Sequence, residues 1–160
     1  MADIWLLSDT HLGHSNILNF KRDDGSPLRP FLSLEEMHQT LFDNWARVVK
    51  PGDKVYHLGD VAFSSMGKEA MAEMGKLPGK KRLVLGNHDK YQSQEYLKVF
   101  QRLNGLHNLH NVWLSHAPVH PGSLNRGNII GNAHGHLHHR KLDDPRYFNC
   151  SVECIWYTPI

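Results

Sequence analysis

Short apolar runs alternate along the chain with segments whose apolar residues recur every three or four positions, and each apolar run ends in a polar cluster. That rhythm predicts an α/β fold. Residues 4–7 read as the first strand, running into SDTHLGH. Between Ser33 and Lys50, Leu34, Met37, Leu41, Trp45 and Val48 mark one helix face; Ser33 and Glu36 form a capping box, and Pro51-Gly52 stops the helix. Residues 55–58 predict a second strand ending at Gly59-Asp60, 68–74 a short helix, and 83–85 a third strand ending in GNHD. Met66, Met71 and Met74 read as core packing around that short helix. A further helix is predicted over 91–100, a strand over 112–114 leading into SHAP, and a strand at 129–130 leading into GNAHGHLHH. Residues 147–156 close the chain as a longer strand, and 21–30 and 120–128 are loops by their Gly, Pro, Asn and Asp content. No repeat, low-complexity tract or linker divides the chain, so residues 1–160 read as one domain.

Composition narrows the class. With 18 Lys and Arg against 16 Asp and Glu, 21% charged and 40% hydrophobic residues, the chain is an ordinary globular one, which excludes general disorder and collagen-like repetition. No block of like charge suggests a nonspecific nucleic-acid or membrane surface, and Lys80, Lys81 and Arg82 read as a solvated strand entrance. Asp3 and an apolar stretch of only four residues do not make a signal peptide, and no run approaches the ~20 apolar residues of a membrane helix. Cys150 and Cys154 lie in the predicted closing strand, where four residues span ~13 Å against a disulfide limit near ~7 Å between Cα atoms. Free thiols and a cytoplasmic location are therefore expected. The unusual count is histidine, at 13.

Those histidines and several carboxylates fall at strand ends. Asp9-Thr10-His11, Gly59-Asp60, Gly86-Asn87-His88-Asp89, His116 and Gly135-His136-Leu137-His138 each follow an apolar run, and strand ends in an α/β sheet form one ligand-binding rim. An extended backbone would point Asp9 and His11 the same way, and likewise His136 and His138. Glycines 59, 86 and 135 precede candidates, as tight turns close to an ion would need. Each cluster alone is commonplace; the five in order are not.

With all five present, the chain resembles the calcineurin-like metallophosphoesterase superfamily, whose motifs are DxH, GD, GNHD or GNHE, a later His, and GHxH. DTHLGHSNILNF, RPF and NCSVECIWYTPI are similar to a small single-domain branch of bacteria and phages. Ser8 and Ser115 stand where the superfamily commonly has glycine, and neither replaced position supplies a ligand. The resemblance implies a four-layer α/β/β/α sandwich with two central mixed β-sheets and a metal site at the strand ends. It further implies two divalent metals bridged by Asp60, one completed by Asp9, His11 and His138, the other by Asn87, His116 and His136. His88 would face the phosphoryl group, oriented by Asp89. Imidazole, carboxylate and amide donors suit Mn, Fe, Zn or Ni better than Mg or Ca, with Mn favoured.

The implied activity is phosphoester hydrolysis, a bridging water acidified to hydroxide attacking phosphorus in line. Two divalent ions, less the charges of Asp9, Asp60 and the hydroxide, leave about +1 beside the phosphate, which balances a diester. A diesterase on small, nucleotide-type phosphodiesters is therefore expected, with a phosphomonoesterase or nuclease as the alternative. From another class, a catalytically silent metal-binding interaction module is opposed by the intact His88-Asp89 pair. The expected partner is a small phosphoester, with no membrane, no dedicated nucleic-acid-binding domain and the oligomeric state left open. His14, Arg29 and Arg126 are candidate substrate contacts, both arginines being read first as surface residues of loops.

Overall fold

The computed structural model describes residues 1–160. Its first sheet contains β1 (Ile4–Leu7), β2 (Lys54–His57), β3 (Lys80–Val84) and β4 (Leu103–Asn104) in that spatial order, every neighbour parallel. The second contains β5 (His107–Leu109), β6 (Val112–Leu114), β7 (Gly131–His134) and β8 (Tyr147–Asn149); β5 runs antiparallel to β6 and the remaining pairs are parallel. Only the second sheet is thus mixed. Helices α1 (Leu34–Val48), α2 (Ser64–Lys76) and α3 (Ser93–Leu97) connect the strands of the first sheet, the crossover that parallel pairing requires.

Strand alternation produces two cores. Leu7, Val55 and Leu83 face the helices and pack with Met37, Leu41, Trp45, Met71 and Met74. Their neighbours Tyr56, Leu58 and Val84 face the second sheet and meet Leu114, Ala133 and Cys150. Period-two side-chain direction thus makes the first sheet apolar on both faces. The outer face of the second sheet is covered by a loop carrying a 3-10 turn at Pro121–Asn125 rather than by α-helices. Val119 in that loop receives the Tyr147 hydroxyl at 2.7 Å on its carbonyl and donates its N–H to Asn132 Oδ1 at 2.9 Å. The fourth layer is accordingly thin.

Local chemistry explains where elements depart from expectation. Ser33 Oγ accepts from Glu36 N at 3.1 Å, while the Glu36 carboxylate reaches Leu32 N at 2.7 Å, one residue earlier than in a standard capping box. Helix α2 is longer than the 68–74 expectation, and its Met66 is 48% exposed while Met71 and Met74 are buried. Lys81 is not solvated: its ammonium lies 2.5 Å from Leu77 O and 3.2 Å from Gly75 O, capping carbonyls at the end of α2. The helix expected over 91–100 shrinks to α3, and β7 is made of GNAH itself, after Ile129-Ile130. The closing strand stops at Asn149, because the chain then turns, Tyr157 N bonding Val152 O at 2.9 Å, and brings Ile160 back to pair with Leu6. Both cysteines are free, although not for the extended-strand reason. No helix is long and apolar enough to cross a membrane.

Candidate metal centre

The ends of β1, β2, β3, β6 and β7 deliver Asp9 and His11, Asp60, Asn87 to Asp89, His116, and His136 and His138. The backbone there is not extended. Asp9 (φ 59), His11 (φ 50), Asp60 (φ 55), His136 (φ 68) and His138 (φ 52) all occupy the left-handed region. Such non-glycine conformations cost on the order of 1–3 kcal/mol each and persist only where surrounding structure imposes them. Here a ladder between loops does so: Asp9 N bonds Gly59 O at 2.9 Å, His11 N bonds Asp60 O at 3.1 Å, and Leu12 N bonds Val61 O at 2.9 Å. Gly59 (φ 101) permits the approach, since a Cβ on it would sit 2.6 Å from Gly86 N.

Two donor groups result, Asp9 with His11 and His138, and Asp60 with His116 and His136, the donor atoms of each lying within 4.8 Å of one another. Asp60 Oδ2 stands between them, 3.7 Å from His11 Nε2 and 3.2 Å from His116 Nε2. Asp9 Oδ1, His11 Nε2 and His116 Nε2 are buried without any hydrogen-bond partner. Orphaned polar atoms of this kind cost about 1–3 kcal/mol apiece, and their place in the two donor groups fits cations that would complete them. His116 Nδ1 donates to Leu58 O at 2.8 Å, which leaves its Nε2 lone pair facing the site. Asn87 Oδ1 lies 3.0 Å from His136 Nδ1, beside the second group. Neither group includes a cysteine, so the donors are imidazole and carboxylate and not those of a structural thiolate site.

Protonation divides the donors, since His116 and His138 are raised despite burial by the Asp60 and Glu153 carboxylates while His11 is lowered. Burial depresses His11 to about 4 against the pull of Asp9, so its imidazole is neutral and keeps an unprotonated nitrogen. Burial works to raise Asp9, but the His11 imidazole 3.7 Å from its carboxylate and the neighbouring His116 and His138 hold it below the usual carboxylate range.

Other expected residues divide. The His88 ring is exposed, outside both donor groups, 5.4 Å from the Phe63 ring, and its backbone N donates to Asp60 Oδ1 at 2.9 Å. Asp89 does not orient it. The Asp89 carboxylate instead accepts from Gly86 N (2.7 Å), Asp60 N (2.8 Å) and Val61 N (2.9 Å), clamping the loops after β2 and β3 together. His14 stacks on Phe63 at 4.4 Å and shares a 3.0 Å contact with His11 Nδ1. Arg29 is neither a surface residue nor free for phosphate: it is 1% exposed, with its guanidinium given to Glu153 and to the Asp9 and Thr10 carbonyls. Arg126 is exposed but lines a separate cavity of about 500 Å³ with Trp113, His120 and Ile129.

The sequence reading passed over two further residues. Glu153 Oε1 lies 3.0 Å from His138 Nδ1, and its only signal was a carboxylate inside an apolar segment. His57, wholly buried behind the rim, accepts from Gly59 N on Nδ1 at 3.1 Å, so its Nε2 donates to Thr10 Oγ1 at 2.9 Å. Beside His136 and His138 opens a groove of about 600 Å³ edged by Phe20, Lys21, Leu28 and Arg140.

Comparison with known proteins gives the family. The family described as calcineurin-like phosphoesterase matches residues 2–155. An uncharacterized protein of the archaeon Methanocaldococcus jannaschii is 36% identical over 168 aligned positions, covering 100% of this chain and 87% of its own. The Gene 66 protein of Mycobacterium phage L5 is 36% identical over 93 positions, 56% of this chain and 41% of the phage protein. The crystal structure of a protein of unknown function from Aquifex aeolicus superposes with a TM-score of 0.79 at 27% identity, covering 100% of this chain and 95% of that one. A family match across nearly the whole sequence, on a fold whose strand ends gather two metal-competent donor groups, means that this chain belongs to the calcineurin-like phosphoesterase family.

Proposed function

We propose that the chain is a dinuclear metal-dependent phosphodiesterase acting on small phosphodiesters of nucleotide type. The observation that carries the reading is Asp60 Oδ2, which faces the His11 and His116 donor atoms at 3.7 and 3.2 Å. Asp9, His11 and His138 would hold one ion, His116, His136 and Asn87 the other, with Asp60 shared. Two such divalent ions, Mn above Fe, Zn or Ni, supply Lewis acidity that neutralises phosphate charge and acidifies water.

The chain's own residues do the rest. Asp60 and the strained loops fix the donors before substrate arrives, so no reorganisation is needed as charge develops. His88, exposed on the rim and outside both donor groups, gives a proton to the leaving ester oxygen. The groove beside His136 and His138 receives the ester's organic substituent, Phe20 offering a 44% exposed ring to it. Charge favours a diester, because the two arginines that could have met a monoester's second charge are engaged by Glu153 or line another cavity. In the groove itself Arg140 is paired with Asp23 at 2.7 Å, leaving Lys21 as its unpaired cation.

The test compares a nitrophenyl phosphodiester with the matching monoester at equal Mn load, with and without chelator. The diester should have the higher kcat/KM and chelator should abolish both activities. A monoester preference of tenfold, about 1.4 kcal/mol in transition-state binding, would overturn the diesterase reading and direct attention to Lys21.

A further inference from the structure

Outside the donor groups, one ion pair has both side chains fully buried. Arg29 Nε donates to Glu153 Oε1 at 2.8 Å across 124 positions of sequence, both side chains fully enclosed. Removing two ions from water is costly, and apolar replacements of similar volume are often as stable or more so. Stability alone is therefore a poor reason for the pair. What it touches suggests a better one. The guanidinium also donates to Thr10 O at 2.9 Å and to Asp9 O, while the same Glu153 oxygen accepts from His138 Nδ1 at 3.0 Å. Asp9 and His138 both hold left-handed backbone, lie on loops from different sheets and belong to the same donor group. The other group has largely different supports: Asp60 bonds Asp89 through its N–H, His116 bonds Leu58 O, and His136 meets Asn87, its one tie to the first group being a backbone N–H given to Asp9 Oδ2 at 2.9 Å.

We infer that Arg29 and Glu153 are positioning residues for one ion only, that of the Asp9, His11 and His138 group. The carboxylate keeps the His138 proton on Nδ1 and turns its Nε2 lone pair toward the ion, as outer carboxylates do for ligating histidines. The guanidinium, anchored by that carboxylate, grips the Asp9 turn through two carbonyls and holds the Asp9 side chain against the same ion. One ion pair thus couples the RPF segment and the NCSVEC segment to a single half of the centre. The inference rests on the two-group reading of the metal site.

The experiment is calorimetric titration of the full chain with Mn alone, in two backgrounds. His116→Ala leaves the Asp9 group as the intact one, and His11→Ala leaves the Asp60 group. Adding Glu153→Gln, which keeps shape and removes charge, should weaken Mn about 10- to 100-fold in the first background. In the second background the change should stay below about threefold, a selectivity that general loosening of the fold would not produce. Equal losses in the two backgrounds, or no loss in the first, would overturn the proposal. A wild-type chain that binds fewer than two ions would instead overturn the two-group reading, and the proposal with it, before any variant is compared. Should Glu153→Gln fail to fold, Arg29→Lys, which keeps charge and loses the planar fork, is read against the same thresholds.

Discussion

Asp9 and His11 sit in a closed setting, 0% and 3% exposed with the Phe63 and His14 rings flanking His11, while His138 reaches the groove edge with a buried ion pair behind it. Asp60, His116 and His136 begin equally deep but end in the open, His136 being exposed beside Asn87. The first group is therefore arranged to hold its geometry, and the second to admit something from solvent. Catalytic metal sites keep such an open position, and structural ones do not. Strain follows the same division only in part, since Asp60 and His136 also carry positive φ. What separates the groups is the second layer of contacts, an ion pair for one and backbone amides clamped by Asp89 for the other.

The largest expected effect on this comparison comes from His88, which belongs to neither group. His88→Ala should lower turnover roughly 10²- to 10⁴-fold, the range of a general acid, while both ions stay bound. The loss should shrink for esters with good leaving groups. Loss of an ion in His88→Ala, read by elemental analysis, would transfer His88 into one of the groups and break the division.

A smaller effect concerns His57, which supports both halves at once by bonding Thr10 behind the first group and Gly59 beside the second. Burial holds it down to about 3, so the folded chain refuses a proton that the unfolded chain accepts below about 6.5. A depressed histidine contributes stability that is complete above its unfolded pKa and falls with pH below it. The fold should thus lose about 1.4 kcal/mol per pH unit from this group between about pH 6.5 and 3. His11 adds a slope of the same sign, whereas His116 and His138, raised despite burial by the nearby Asp60 and Glu153 carboxylates, act oppositely. Denaturant unfolding of the chelated wild type and of His57→Gln at pH 6.5 and 4.5 isolates the His57 share. Parallel pH dependences in the two proteins would contradict its assignment.

Much of the architecture could be read from residue order, because the features that signal it are local. Apolar runs ending in DTH, GD and GNHD mark parallel strands whose ends share a rim, and α1 carries its capping and stop signals on its own residues. Strands β4 and β5, of two and three residues, are too short and too polar to show a period. The closing segment has β-rich composition, yet it turns to place Glu153 under His138 and Ile160 beside Leu6, which are contacts made across the whole chain. Arg29 shows the limit most plainly. A loop of Gly, Pro and Asp predicts exposure, and only a partner 124 positions away makes burial of that guanidinium tolerable. Asp89 misleads for the opposite reason: its neighbour in sequence is His88, but its carboxylate is taken up by three backbone amides.

If two ions share Asp60, a count of bound metal will show it. Elemental analysis of the full chain equilibrated with saturating Mn and freed of excess should give about two ions per wild-type chain. Asp60→Ala, which removes the shared carboxylate, should lower occupancy of both sites together. A wild-type count of one or fewer, or an Asp60→Ala chain that still holds two, would contradict the account.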